Sequence, residues 1–327
     1  MASVVAPATS PSFSTHSKDQ HPLLVIVGPT ASGKTALALH LAEQLHGEIV
    51  SCDAVAVYRG LDIGSAKPTP SERARIPHHA LDLLDPDQPS TAGDYARAAR
   101  AALAEIKARG HLPIVTGGTG LYLRALLEGL APAPPRDESL RTRLRRRAEQ
   151  RGPEHLHRIL RRFDPAAATL IHPNDTPKLI RSLEVTLAAR QPQTEQWRAG
   201  RDPLLGFRTL QLGLNPPRAT LYERINTRAA AMFDHGLLEE TASLRARFGD
   251  NCRTLGSLGY AQAFSVLCNK MPIAEAVAAA QQGHRNYAKR QLTWFRRDPA
   301  MHWLTGFGDN PTVQATALSL AKQLLQT

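Results

Sequence analysis

The sequence predicts an α/β fold of the phosphate-loop type: a doubly wound parallel sheet with an inserted helical domain. Gly28-Pro29-Thr30-Ala31-Ser32-Gly33-Lys34-Thr35 fits G-x-x-x-x-G-K-[ST] and stands between a strand-like and a helical segment. Short apolar runs alternate with helical patterns over residues 23–130, the signature of a parallel sheet covered by helices. A Pro-rich break and Arg-rich helical stretches then separate this block from a strand-like run at 210–214.

The elements follow in order. Residues 23–27 (LLVIV) read as a buried strand and 35–45 (TALALHLAEQL) as a helix. The glycines between them let backbone N–H groups turn toward phosphate oxygens, where the helix N-terminus and Lys34 add positive charge and the Thr35 hydroxyl can hold Mg²⁺. Residues 48–52 (EIVSC) give a second strand that ends at Asp53, and 94–109 are helical. Residues 112–116 (LPIVT) give a third strand, followed by Gly117-Gly118-Thr119-Gly120 and a helix over 121–130. Ligands of such sheets sit outside the carboxyl ends of the strands, so the phosphate loop, Asp53 and the 117–120 turn should share one rim. Residues 131–135 (APAPP) break the pattern. Helical stretches run to about Leu187, a polar loop covers 191–202, and 210–214 (LQLGL) return to the sheet. Helices over 218–247 and 273–297 follow. Residues 21–130 and 210–327 are thereby assigned to the core with C-terminal helices, 131–209 to the helical insertion, and the Ser/Pro/Thr/Ala-rich 1–20 to a disordered leader.

Composition narrows the function. The 327 residues are 42% hydrophobic and 5% aromatic, as in a globular enzyme. No apolar run reaches the ~18 residues of a membrane span, and the start of the chain lacks the hydrophobic stretch of a secretory signal. Three cysteines without a C-x-x-C pair fit a reducing cytoplasm, with neither disulfide framework nor zinc site. The formal charge of +11 points to a polyanionic partner, most often nucleic acid. Ten arginines between Arg136 and Arg162 face only four carboxylates, Asp137, Glu138, Glu149 and Glu154. The basic surface gives no reason to expect a dimer.

The rim residues leave several chemistries open. Nucleotide hydrolases usually end an apolar strand with an Asp that holds Mg²⁺. Here the third strand ends in Thr116-Gly117-Gly118-Thr119-Gly120, without a carboxylate. That turn reads as a second pyrophosphate cradle, or simply as glycines that permit tight strand-to-helix packing. Asp53 could reach Mg²⁺ through water, act as a general base or form a turn.

Taken together, the motifs resemble those of the tRNA dimethylallyltransferases, also called tRNA isopentenyltransferases, of bacterial type. The resemblance runs from about Leu23 to Trp303. Beyond the phosphate loop and Asp53 it rests on Val57-Tyr58-Arg59-Gly60-Leu61-Asp62-Ile63-Gly64-Ser65-Ala66-Lys67-Pro68, on Pro77-His78-His79 with Asp82 and Asp85-Pro86, and on Gly117-Gly118-Thr119-Gly120-Leu121-Tyr122. Asn174-Asp175 with Arg181-Ser182-Leu183-Glu184, Leu221-Tyr222-Glu223-Arg224-Ile225, Gly259-Tyr260, and Ala288-Lys289-Arg290-Gln291 before Thr293-Trp294-Phe295 complete it.

The resemblance implies transfer of a dimethylallyl group from dimethylallyl diphosphate to N6 of the adenosine 3′ of the anticodon in tRNA. Asp53 would be the base, and the loop, Lys34, Mg²⁺ on Thr35 and Thr119 would stabilise the diphosphate as it leaves. Either Arg224 or Arg228, four apart on one helix face, could complete the clamp. The family's tRNA contacts carry over to Asp53, Ala54, Val55, Ala56 and Thr119. They also fall on Pro177, Lys178, Leu179, Ile180 and Arg181, and on Gly256, Ser257, Leu258, Gly259, Tyr260 and Ala261. The last group is Lys289, Arg290, Gln291, Leu292, Thr293, Trp294, Phe295 and Arg296, and Arg141 in the basic run is a further candidate. Arg290, Thr293 and Arg297 are expected on one helix face. The sequence departs from the family at Ala54, often Ser, at Ala56, often Gln, and at Thr176-Pro177-Lys178, where Arg or Gln is common. A phosphate-loop kinase and a basic RNA-binding module are the competing expectations.

Overall fold

The computed structural model describes residues 20–198 and 200–326. The expected leader, apart from Gln20, lies outside the described residues. The first stretch holds His21–Val27 (β1), Lys34–Leu45 (α1), Gly47–Cys52 (β2), Pro70–Arg75 (α2), His78–His79 (β3), Ala92–Ala108 (α3), Leu112–Gly117 (β4) and Gly120–Leu127 (α4). Glu138–Arg151 (α5), Pro153–Phe163 (α6), Pro165–Leu170 (α7), Thr176–Ala189 (α8) and Gln193–Arg198 (α9) follow. The chain then forms Phe207–Leu214 (β5), Arg218–Asp234 (α10), Leu237–Phe248 (α11), Tyr260–Leu267 (α12), Ile273–Phe295 (α13), Met301–Leu304 (β6) and Pro311–Gln326 (α14).

The six strands are all parallel, in the order β3-β2-β4-β1-β5-β6. Side chains alternate across each strand, so Leu24, Ile26, Ile49, Ile114 and Leu212 share one face. There they bury against Leu37 and Leu41 of α1 and Ala317 and Leu324 of α14. Helix α3 packs on β2 and β4. The alternation of strand and helix thus gives the α/β sheet the sequence predicts. A second apolar cluster joins Leu61, Met232, Phe233, Leu237, Tyr260 and Ala276 among α10 to α13.

The described residues form two compact units: 20–126 with 204–326, and the stretch between them from 127 to 203. The sequence places the second unit at 131–209. The difference has local causes: α4 stops at Leu127, and β5 begins at Phe207 because it pairs with β1 from His21↔Phe207 onward. The second unit has its own core of Leu144, Leu156, Leu160, Leu179, Ile180 and Leu183. Asp137 and Asp175 cap α5 and α8 by accepting the N–H groups of Leu140 and Lys178.

Other differences follow from residues that periodicity overlooks. The helix expected over 218–247 is two helices, because Gly236 adopts φ 101°, outside the helical region, between α10 and α11. Helix α13 ends at Phe295, so Arg297 falls beyond it and does not share the face of Arg290 and Thr293. Helix α2 and the two-residue β3 escape the sequence reading through brevity, although Thr69 and Glu72 form a full capping box.

Candidate active site

The phosphate loop follows β1 and runs into α1, whose N-terminus has no side-chain cap. Two loop residues hold left-handed backbone angles, Ala31 at φ 63° and Gly33 at φ 85°. Such a bend turns successive N–H groups into one concavity. Not every donor faces it. The Thr30 N–H donates to Gln291 Oε1 at 2.8 Å, and the Ser32 N–H to Pro29 O at 3.3 Å. Lys34 Nζ donates to Pro29 O at 2.8 Å. The sequence expectation that the loop N–H groups cradle phosphate is therefore narrowed: Pro29 has none, and Thr30 and Ser32 are engaged elsewhere. Among the described residues the N–H groups of Ala31, Gly33, Lys34 and Thr35 keep no protein acceptor.

Asp53 follows β2 at the same rim. Its Oδ1 accepts the N–H groups of Val55 at 2.8 Å and Ala56 at 3.1 Å, closing a tight turn. Its Oδ2 accepts no hydrogen bond among the described residues, which leaves one carboxylate oxygen available for chemistry. Thr119 supports this turn from outside. Its Oγ1 accepts the Ala54 N–H at 3.0 Å, and its own N–H donates to Cys52 O at 3.2 Å.

The glycines beside Thr119 serve packing. A Cβ on Gly117 would lie 2.1 Å from Cys52 O, one on Gly118 would lie 2.0 Å from Gln291 Nε2, and one on Gly120 would lie 2.2 Å from the Trp294 ring. Close packing thus requires glycine at these three positions, and Gly117 and Gly118 also line the narrow cavity beside the phosphate loop.

Three charged groups meet in a narrow cavity of about 110 Å³ lined by Lys34, Asp53, Arg228, Tyr287 and Gln291. Burial pulls the Lys34 ammonium from 10.5 down to about 7, Arg228 adds to the fall, and Asp53 opposes it. Burial likewise lowers the Arg228 guanidinium, again opposed by Asp53. Arg228 has no ion-pair partner among the described residues. Arg224, its alternative, is tied to Asp309 at 2.9 Å and lies 3.8 Å over the Phe307 ring. Both arginines line a second, wider cavity of about 580 Å³ that shares Lys34, Thr35 and Arg228 with the first. Ile49, Ala66 and Pro68 supply apolar wall to the narrow cavity.

Two residues on α13 join the site without a signal of their own in the sequence. Tyr287 lines the cavity, and its phenol is pushed up to about 12 by burial and then by Asp53, so it stays a neutral donor. His284 is 8% exposed, and burial and Arg228 hold its imidazole down to about 4. Their spacing from Gln291, at four and seven residues on one helix face, is the pattern that could have found them.

The residues expected to meet tRNA fall into two groups. Ala56, Leu179, Ile180, Gly259, Tyr260, Gln291 and Phe295 are buried, and of these Ala56 and Gln291 line the narrow cavity. Tyr260 donates its hydroxyl to Glu240 Oε1 at 2.6 Å. Arg141 and Arg181 both pair with the fully buried Glu184, at 3.0 and 2.8 Å, which binds them into the second unit's core. Leu258 and Leu292 are half-buried. Lys178, Gly256, Lys289, Arg290, Thr293 and Arg296 are exposed, and Trp294 is 36% exposed with Arg124 5.4 Å over its ring.

No cluster of three or more His, Cys, Asp or Glu able to hold a metal occurs among the described residues. The narrow cavity does offer oxygen donors suited to a hard cation, from Thr35, Ser51, Asp53 and Thr116, and the Thr116 hydroxyl is buried with no partner. No helix among the described residues is long and apolar enough to cross a membrane.

Comparison with known proteins agrees with this geometry. The family model IPP transferase matches residues 56–298, and that of Isopentenyl transferase matches 21–80. A tRNA dimethylallyltransferase of Koribacter versatilis is 60% identical, across 92% of this chain and 98% of that protein. A tRNA isopentenylpyrophosphate transferase of Bacillus halodurans superimposes with a TM-score of 0.67 at 34% identity, covering 94% of this chain and all of the other. The structure of a eukaryotic dimethylallyltransferase acting on tRNA gives a TM-score of 0.77 at 26% identity, across 92% of this chain and 77% of that one.

Proposed function

This chain belongs to the IPP transferase family, the tRNA dimethylallyltransferases, and we infer from its cleft how the labour of that reaction is divided. The enzyme is a prenyltransferase that modifies tRNA with dimethylallyl diphosphate as donor. The acceptor is N6 of the adenosine 3′ of the anticodon. That nitrogen attacks the allylic carbon, the carbon–oxygen bond breaks, and diphosphate leaves with the bonding pair. Asp53 Oδ2 takes the amine proton, a step that typically contributes ~10²–10⁴-fold.

Lys34, Arg228 and the free N–H groups of Ala31, Gly33, Lys34 and Thr35 meet the charge that builds on the leaving group. When bound, Mg²⁺ would supply further neutralisation at the diphosphate, held by the Thr35 hydroxyl. Ile49, Ala66 and Pro68 suit the dimethylallyl group. Thr119 positions the Asp53 turn.

The observation that carries this reading is the pair of partly buried cations, Lys34 and Arg228, facing the free oxygen of Asp53 in one narrow cavity. A diphosphate restores to both cations what burial removes, and an amine restores a partner to Asp53. The anticodon loop meets the exposed Lys289, Arg290 and Thr293 of α13 and Arg296 just beyond it, together with Ala54, Val55, Gly256 and Ser257. An unpaired loop lets the target adenosine leave its stack at low cost. The protein acts as a monomer in the cytoplasm, where its tRNA substrate is.

The experiment incubates the protein with Mg²⁺, dimethylallyl diphosphate and unmodified tRNA carrying adenosine at and after the third anticodon position, and reads nucleosides by mass spectrometry. Isopentenyl-adenosine that disappears in Asp53→Ala while tRNA binding persists supports the reading. ATP consumption without prenylated nucleoside would move the protein to the kinases, and unchanged product in Asp53→Ala would remove Asp53 as base.

A further inference from the structure

Gln291 is 5% exposed, and both ends of its amide are engaged. Oε1 accepts the Thr30 N–H of the phosphate loop at 2.8 Å, and Nε2 donates to Gly118 O at 3.0 Å. The partners fix the orientation of the amide, since Thr30 offers only a donor and Gly118 only an acceptor. The next residue, Thr119, holds the Ala54 N–H and Cys52 O, the two groups that flank Asp53. Gly118 leaves no room for a side chain, because a Cβ there would sit 2.0 Å from the Gln291 amide nitrogen. One buried side chain therefore bridges the phosphate loop and the turn whose next residue, Thr119, holds the Asp53 segment.

We propose that Gln291 is a positioning residue: a brace that sets the spacing between the phosphate loop and the Asp53 turn, through Thr30 on one side and Gly118-Thr119-Ala54 on the other. The brace rests on the reading that donor and acceptor meet in this cleft. It touches neither reacting atom. Its effect lies in alignment, where an error of about 1 Å can cost ~10²-fold in rate. The same helix carries Lys289, Arg290 and Thr293 on its outer side, so RNA held there bears on the helix that sets this spacing.

The test compares wild type, Gln291→Met, which keeps the volume and loses both hydrogen bonds, Thr119→Val, which loses the acceptor for Ala54, and the double variant. Steady-state kcat and KM for dimethylallyl diphosphate are read alongside affinity for inorganic pyrophosphate, affinity for tRNA, and Tm. Gln291→Met is expected to lower kcat ~10²-fold with both affinities nearly unchanged. Thr119→Val should lower kcat in the same way, and the double variant should be no worse than Gln291→Met alone to within about twofold, because the two act through one connection. If Gln291→Met does not fold, Gln291→Asn, whose shorter amide cannot reach both Thr30 and Gly118, carries the same test. Unchanged kcat, additive losses in the double variant, or losses matched by weaker pyrophosphate or tRNA binding would overturn the brace. Absence of prenylated product from wild type would overturn the underlying reaction, and the brace with it.

Discussion

Lys34 lowers the stability of the ligand-free fold. Its ammonium sits with Arg228 in a narrow cavity, and burial with that neighbour takes its pKa from 10.5 to about 7. A folded-state pKa below the unfolded one means that the penalty is complete below about pH 7 and fades as the pH rises toward the unfolded value. Lys34→Met should therefore raise the Tm of the ligand-free protein, by about 2–4 °C for each kcal/mol recovered, while abolishing product. The gain should be larger near about pH 6 than near about pH 9.5, and thermal melts at the two pH values check the sign. A gain that grew with pH would mean that the ammonium is not desolvated. Asp53 and Lys34 were legible as residues because strand-end and loop positions are fixed by local pattern. That only one oxygen of Asp53 is free was not legible, since it depends on how the Val55 and Ala56 N–H groups fold back.

Helix α10 shows how an element distinguishes side chains that sequence treats alike. Arg224 and Arg228 lie one turn apart, yet Arg224 is held outward by Asp309 and Phe307 while Arg228 enters the cavity with Lys34 and Asp53. Neither Asp309 nor Phe307 is near α10 in sequence, so spacing alone could not choose. Arg228→Met should lower kcat/KM for dimethylallyl diphosphate by ~10²–10³-fold, the usual effect of removing one charge-stabilising donor from a site. Arg224→Met should cost less than about tenfold, the range of an exposed ion pair. Steady-state kinetics of the two variants decide between them, and a larger loss in Arg224→Met would reverse the assignment. Helix α13 was legible as a helix from its long periodic run. Its inward face, with His284, Tyr287 and Gln291, acquires its function only where the phosphate loop and the Gly118 turn approach it.

At the scale of the whole molecule the two ends of the sheet do different work. The carboxyl ends of β1, β2 and β4 hold the loop, Asp53 and Thr119. The opposite end holds Glu48, 2% exposed, with Arg109 on both its oxygens at 2.8 Å and His79 and His111 at 2.6 and 2.7 Å. The Arg109 guanidinium above all, then the two imidazoles, hold the Glu48 carboxyl down to about 2. Glu48→Gln should lower stability by about 1–3 kcal/mol in chemical denaturation while leaving kcat unchanged, because it unpairs buried partners far from the chemistry. A fall in kcat at matched folded fraction would contradict that separation. The sequence by itself determined the strand–loop–helix phosphate site, the α/β class, the basic surface and the family. Each is written in contiguous patterns whose physical cause is local: glycine conformations, side-chain period and charge density. Tertiary structure alone decided that Arg228 and not Arg224 enters the narrow cavity, that the Gly117, Gly118 and Gly120 positions have no room for a side chain, and that Gln291 reaches Gly118, 173 residues away, and Thr30, 261 residues away. These are contacts between segments remote in sequence, settled by which surfaces close-pack when the sheet and its helices assemble.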